Sequence, residues 1–295
     1  MILAVPPEEI KHADWKCPGR ATRIRVPVVQ PPSNPPSPPP GPAADPPTPR
    51  TPLTTAVITC AVLEIEFQHF ARHLKHVVHI EVLQQGLHNE PDNLRRNLQD
   101  AVDRLELIPH LQAIVLGYGL CSRGSEGVRT SRCALVIPRA HDCITLLLGS
   151  KERYAQHVAR YPGTYWYSPG WNRHSTPPGK ERYDKLYQEY LRKYGPDNAQ
   201  FLMQEEQAWF KNYNRATYVD LGVGVTDADL QLTRQCAQFL GWSCDRQHGD
   251  PALITALLNG DWDAHRFVVL QPGQTIRMTA DQRVIEPAPP QDHRA

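Results

Sequence analysis

Four short apolar runs, separated by segments of helical periodicity, constrain this chain more than anything else in it. They are TTAVIT (54–59), HVVHIEVL (76–83), LQAIVLGYG (111–119) and ALVIP (134–138). Each is rich in β-branched residues, short, and bounded by turn-forming residues, which is the pattern of a strand buried on both faces. Between them Leu63, Phe67, Phe70 and Leu74 recur at helical spacing, and Leu94, Leu98, Val102 and Leu105 form a second stripe behind Pro91. A further helix is expected from near His141 to about Arg160. Buried strands alternating with amphipathic helices define an α/β fold. Its sheet is doubly wound and mostly parallel, with helices on both faces.

The second half repeats the alternation more loosely. GTYWYS (163–168), ATYVDLGVG (216–224) and RFVVLQPG (266–273) read as strands, and Trp242–Cys244 as the start of a short one. Tyr183, Leu186, Tyr187, Tyr190, Leu191 and Tyr194 mark one helix face, a pattern that more often serves a core than a pocket. Thr226 and Asp229 have the spacing of a capping box for a helix reaching Leu240. Asp250–Pro251 opens another that ends at Gly260. The α/β domain is expected over 54–275, with lobes 54–168 and 169–275 allowed by the looser second half. The tail, 276–295, reads as polar and frayed.

Thirteen of the 29 prolines fall between Pro27 and Pro52. Proline removes backbone donors and fixes φ, so 27–53 reads as an extended, disordered linker behind a leader (1–26) without a legible fold. A net charge of +1 gives no general electrostatic reason to bind nucleic acid or an anionic membrane. No apolar run approaches the ~20 residues of a spanning helix, and no secretory signal is legible, so a cytoplasmic location is expected. Most of the seven cysteines are then expected to stay reduced.

Ligands of an open α/β sheet bind beyond the carboxyl ends of its strands. Three thiols fall there: Cys60 after the first strand, Cys121 in the turn GYGLCSRGSEG after the third, and Cys143 in RAHDC after the fourth. His88, in QGLHNEP after the second, and His141 belong to the same edge. Neighbouring strands are only ~5 Å apart, so this edge can gather the five residues. Thiolate and imidazole together suit zinc or an iron centre, with an open fourth position for chemistry or a closed shell for structure. Against this stands the ordinary use of a lone cysteine as a small buried hydrophobe. Cys133 and Cys236 are assigned to that use, while Cys244 fits either.

The glycine-rich turn has a reading of its own. Gly117, Gly119, Ser122 and Gly124 would let backbone amides approach an anion or cofactor. A helix beginning after Cys121 would lower its pKa and make it a nucleophile, with His141 as base. Other features carry less. Asp220-Leu-Gly-Val-Gly has the look of a methyl-donor loop but comes late in the domain, and Asp250 in CDRQHGD reads better as a helix cap. His69, His73 and His76 share a solvated helix side. Trp166, Tyr167 and Trp171 either line a pocket or fill a core.

Taken in order, the strand ending in Cys60, then GLHN-x-P, the GYG-x-C turn, His141-Asp-Cys143 and the block G-D…LL-NGDWD…RFVVLQPG (249–273) resemble domain-of-unknown-function family 1638. The likeness spans about Thr55 to Gly273. It implies that Cys60, His88, Gly117, Gly119, Cys121, His141 and Cys143 form the site, without implying a reaction. Its association with one-carbon and corrinoid metabolism adds a context. Where the family often continues the turn with glycine, this chain has Ser122-Arg123. The leading expectation is a metal-binding α/β protein. Zinc or iron would sit on Cys60, Cys121 and Cys143 with His88 or His141, and act on a small-molecule thiol or methyl substrate. The alternatives are an accessory protein that binds a metal, a corrinoid or a partner enzyme, and a metal-free enzyme using Cys121 and His141.

Overall fold

The computed structural model describes residues 53–289, so the expectations for the leader and for nearly all of the linker lie outside the described residues. The main sheet contains β1 (Thr55–Cys60), β2 (Val77–Leu83), β3 (Ala113–Gly117), β4 (Ala134–Pro138) and β8 (Phe267–Leu270), in the order β2-β1-β3-β4-β8. The first four are parallel, and β8 closes the edge antiparallel to β4. A second, three-stranded parallel sheet holds β5 (Thr164–Tyr167), β6 (Arg215–Asp220) and β7 (Ser243–His248). The expected α/β class, with a mostly parallel sheet, is what the chain forms.

Strand periodicity divides the main sheet between two cores. Ala56, Ile58 and Cys60 of β1 face one side, where Leu94, Leu98, Val102 and Leu105 of α2 (Pro91–Leu105) cover them. Val57 faces the other side with Phe67 of α1 (Glu64–Ala71). There it packs with α3 (Cys143–Leu148) and with Leu253, Ile254 and Leu257 of α8 (Ala252–Asn259). Every residue of β1 is buried, as the continuous apolar run required. Burying each α2 leucine stabilises the fold by roughly 1.5–3 kcal/mol, so the stripe fixes which face of the helix meets the sheet.

Several boundaries differ from the sequence reading, each for a local reason. The helix expected over 141–160 is two, α3 and α4 (Lys151–Arg160), because Gly149 turns left-handed (φ 84°) and Ser150 caps the next helix through Arg153 N. The aromatic face of α6 (Lys180–Phe210) is only half buried, and Gly195-Pro196 kinks that helix so that it runs well past Tyr194. The tail does not fray where expected. β9 (Thr275–Met278) and β10 (Ile285–Ala288) form an antiparallel hairpin that buries Ile276, Val284 and Ile285 in the α2-side core. Those few apolar residues are too sparse to give a sequence period, yet they are enough to dock the segment.

Thr226 and Asp229 form the reciprocal capping box read for α7 (Asp227–Leu240). At α8 the N-cap position falls on Pro251, one residue later than read, and the Asp250 carboxylate accepts from Ala252 N at 2.9 Å. No helix among the described residues is long and apolar enough to cross a membrane.

Candidate functional site

Two backbone hydrogen bonds build the site. Beyond β3 the chain does not wander off as a loop but runs beside the segment leaving β4: Leu120 N donates to Ala140 O (2.8 Å) and Cys121 N to His141 O (2.9 Å). Gly119 makes this approach feasible, since a Cβ there would lie 2.7 Å from both Ala140 O and Asp142 N. Cys121 and Cys143 are thereby drawn to the end of β1, where Cys60 is 7% exposed.

One cavity of about 530 Å³ collects the expected residues. Cys60, His88, Gly117, Cys121, Ser122, His141 and Cys143 all line it. Gly119 is packed against the 140–142 backbone, and Gly124 is buried against Leu94, so neither is among the lining residues. The far wall is aromatic, with Tyr154, Tyr165, Trp166, Trp171 and Tyr213, whereas Tyr167 is fully buried in the core of the second sheet. The aromatic segment YWYSPGW is therefore both pocket and core.

The chain after Cys121 does not enter a helix as the nucleophile reading required. Cys121, Ser122 and Arg123 are three consecutive non-glycine residues in the left-handed region (φ 45°, 57° and 69°). Each such residue costs roughly 1–2 kcal/mol, and strain of this kind persists only where surrounding contacts over-determine the backbone. Here the Gly124 amide closes a turn onto Cys121 O at 2.9 Å, and Arg95 donates to the Glu126 carbonyl at 2.7 Å. With no helix dipole behind it, the Cys121 thiol is pushed up to about 12, chiefly by burial and then by the Asp142 carboxylate.

Burial dominates the electrostatics of the whole cavity. It raises Cys60, and it raises Cys143 well above an ordinary thiol, with Asp142, Cys60 and Cys121 adding repulsion. Cys121 and Cys143 lie deep yet touch solvent, which reaches them through the cavity. His88 is shifted down by burial, with Asp142 opposing, and Asp142 itself is shifted up. Among the described residues no Lys or Arg lines the cavity, so thiolates there have no built-in counter-charge. As the side chains stand, no group of three or more His, Cys, Asp or Glu among the described residues is positioned to hold a metal ion.

Two residues escaped the sequence reading. Tyr118, 3% exposed, lines the cavity with its hydroxyl beside the Cys60 thiol. Trp171, read from the sequence as pocket or core, lines the cavity with its indole N–H beside Tyr165. Asp142 caps α3 through Ile144 N (3.1 Å) and Thr145 N (3.2 Å) while accepting from Tyr154 Oη at 3.1 Å. The sequence signal for Tyr118 and Asp142 is their nearness to Cys121 and Cys143 in the chain.

The less favoured readings resolve structurally. Asp220 is fully buried and paired through both oxygens with Arg246. His76 bonds the Leu258 carbonyl, and Arg72 engages His69 and His73. Cys133 and Cys236 are buried in separate cores.

Fold and site together define an α/β protein with a thiol-lined, aromatic-walled cavity at the carboxyl edge of a parallel sheet. The chain belongs to the family described as "Protein of unknown function (DUF1638)", which matches residues 82–258. That match includes Cys121, Cys143, His88 and His141, and leaves Cys60 and the β9–β10 hairpin outside it. No curated protein and no solved structure matches the chain.

Proposed function

We propose that the cavity is a soft-metal site in which Cys60, Cys121 and Cys143 hold a zinc or iron ion, with His88 or His141 as a fourth ligand or that position left open to substrate. The observation that carries this reading is the convergence of three thiols, from three separate strand exits, on one cavity with no cationic side chain in its lining. A buried thiol pushed up to about 12 is protonated at neutral pH and makes a poor nucleophile, which counts against a metal-free Cys121 enzyme. A divalent ion reverses that balance by binding the thiolate form. As they stand, the thiols form no metal-holding group among the described residues, so sharing one ion requires them to draw together within the cavity of about 530 Å³.

An ion held by three protein ligands keeps a position at which a substrate thiol or a polarised group can bind. The aromatic wall of Tyr165, Trp166, Trp171 and Tyr213 would receive the apolar or methylated part of a small molecule. The Tyr118 hydroxyl and the Trp171 indole N–H would meet acceptor atoms on it.

The test is the zinc and iron content of the purified full-length protein, measured by mass spectrometry after anaerobic preparation. About one equivalent, lost in Cys60→Ser, Cys121→Ser and Cys143→Ser, is the expected result. A folded protein that carries neither metal and takes up neither on titration contradicts the proposal.

A further inference from the structure

A separate cleft of about 440 Å³ takes in the chain just after the Cys121 turn. It is lined by Arg95, Arg96, Arg123, Arg129 and Arg277, with Gln99 among them and Glu126 as its one acidic residue. Three chain segments form it: α2, the 121–129 turn and the β9–β10 hairpin. Hydrogen bonds between them hold the cleft in shape. Gly127 N donates to Ile276 O (2.8 Å), Met278 N to Glu126 Oε1 (2.9 Å), and Gln99 clasps both the amide (3.1 Å) and the carbonyl (3.0 Å) of Arg129.

Three of the arginines are already matched. Arg95 pairs with Asp92, Arg123 with Glu126, and Arg277 with Glu286. Arg96 and Arg129 have no ion-pair or side-chain hydrogen-bond partner among the described residues. Two unspent guanidinium groups therefore face a concave surface whose backbone is fixed. Guanidinium presents a planar fork of donors that fits the oxygens of a phosphoryl group two at a time.

We propose that this cleft binds a small phosphorylated molecule, with Arg96 and Arg129 as its principal ligands and Gln99 holding the Arg129 backbone in place. A nucleic-acid backbone fits less well. Asp92, Asp100 and Asp103 alternate with the arginines along α2, and the chain as a whole carries only +1, which disfavours a long polyanion. Arg277 comes from the hairpin outside the family match, so the full cleft needs the part of the chain that follows it.

Isothermal titration of the full-length protein with inorganic pyrophosphate at low ionic strength tests the proposal. Saturable 1:1 binding is expected, weakened about tenfold or more by Arg96→Gln and by Arg129→Gln, as loss of a charge-assisted contact requires. Arg72→Gln, just beyond α1 and outside the cleft lining, should leave it unchanged. So should Cys121→Ser, which keeps this result separate from the metal reading. The proposal is overturned if pyrophosphate does not bind, if binding survives Arg96→Gln/Arg129→Gln, or if Arg72→Gln weakens it equally. Tighter, equally arginine-dependent binding of a duplex oligonucleotide would also overturn it, in favour of nucleic acid.

Discussion

The amide of Cys121 donates to the carbonyl of His141 at 2.9 Å, and through that bond two strand exits become one surface. Gly119 is the residue that permits it. In Gly119→Ala the new methyl would meet the 140–142 backbone at 2.7 Å, and backbone cannot yield as a flexible side chain can. We expect a loss of about 1–3 kcal/mol in chemical denaturation. The Cys121 and Cys143 thiols should also react faster with a chromogenic disulfide reagent. Unchanged stability together with unchanged thiol reactivity would show that the two segments are not seated as described.

Tyr118→Phe removes a buried hydroxyl whose polar neighbour is the Cys60 thiol. A thiol is a weak partner, so the desolvation relieved nearly offsets the bond lost, and stability should stay within about 1 kcal/mol of wild type. A larger loss in thermal denaturation would contradict this.

Glu66 is fully buried on α1 without a side-chain partner, and burial lifts its carboxyl to about 7 despite its own backbone amide and the opposing charge of Arg173. The folded state thus resists ionisation between the ordinary 4.5 and about 7, while the unfolded chain ionises freely. Below pH 4.5 both states are protonated and nothing is lost. Stability then falls as pH rises through that window, by about 3 kcal/mol in full, and stays low above it. Denaturation of wild type and Glu66→Gln across pH 4–8 should show the variant gaining on the wild type by up to about that amount. A difference that does not change with pH would contradict this.

The Asp220–Arg246 pair is the reverse case, a buried charge fully compensated. Arg246→Ala should cost about 3–5 kcal/mol, because it leaves a carboxylate with no exposure to water. Adding Asp220→Asn should recover part of the loss. A double variant no more stable than the single one would mean that the ion pair is not the source of the cost.

How much of this was legible beforehand follows from the range of the forces involved. The strands and the α2 stripe could be read because periodicity is local, and placing Cys60, Cys121 and Cys143 at one edge needed only the rule that parallel strands end together. The hairpin 275–288 was missed because Ile276, Val284 and Ile285 gain their meaning from a core built by residues far earlier in the chain. The break at Gly149 was hidden by helix-forming residues on both sides. The neighbours of the Tyr118 hydroxyl and the Trp171 indole, the buried carboxyl of Glu66 and the unmatched charges of Arg96 and Arg129 are properties of what surrounds a residue, and no spacing rule encodes them.

The central claim, that three distant thiols share one ion, is tested most directly by X-ray absorption at the metal edge of the loaded, full-length protein. The account predicts about three sulfur scatterers near 2.3 Å for zinc, reduced by one in each of Cys60→Ser, Cys121→Ser and Cys143→Ser. A first shell made only of nitrogen and oxygen, or one unchanged by all three substitutions, would contradict it.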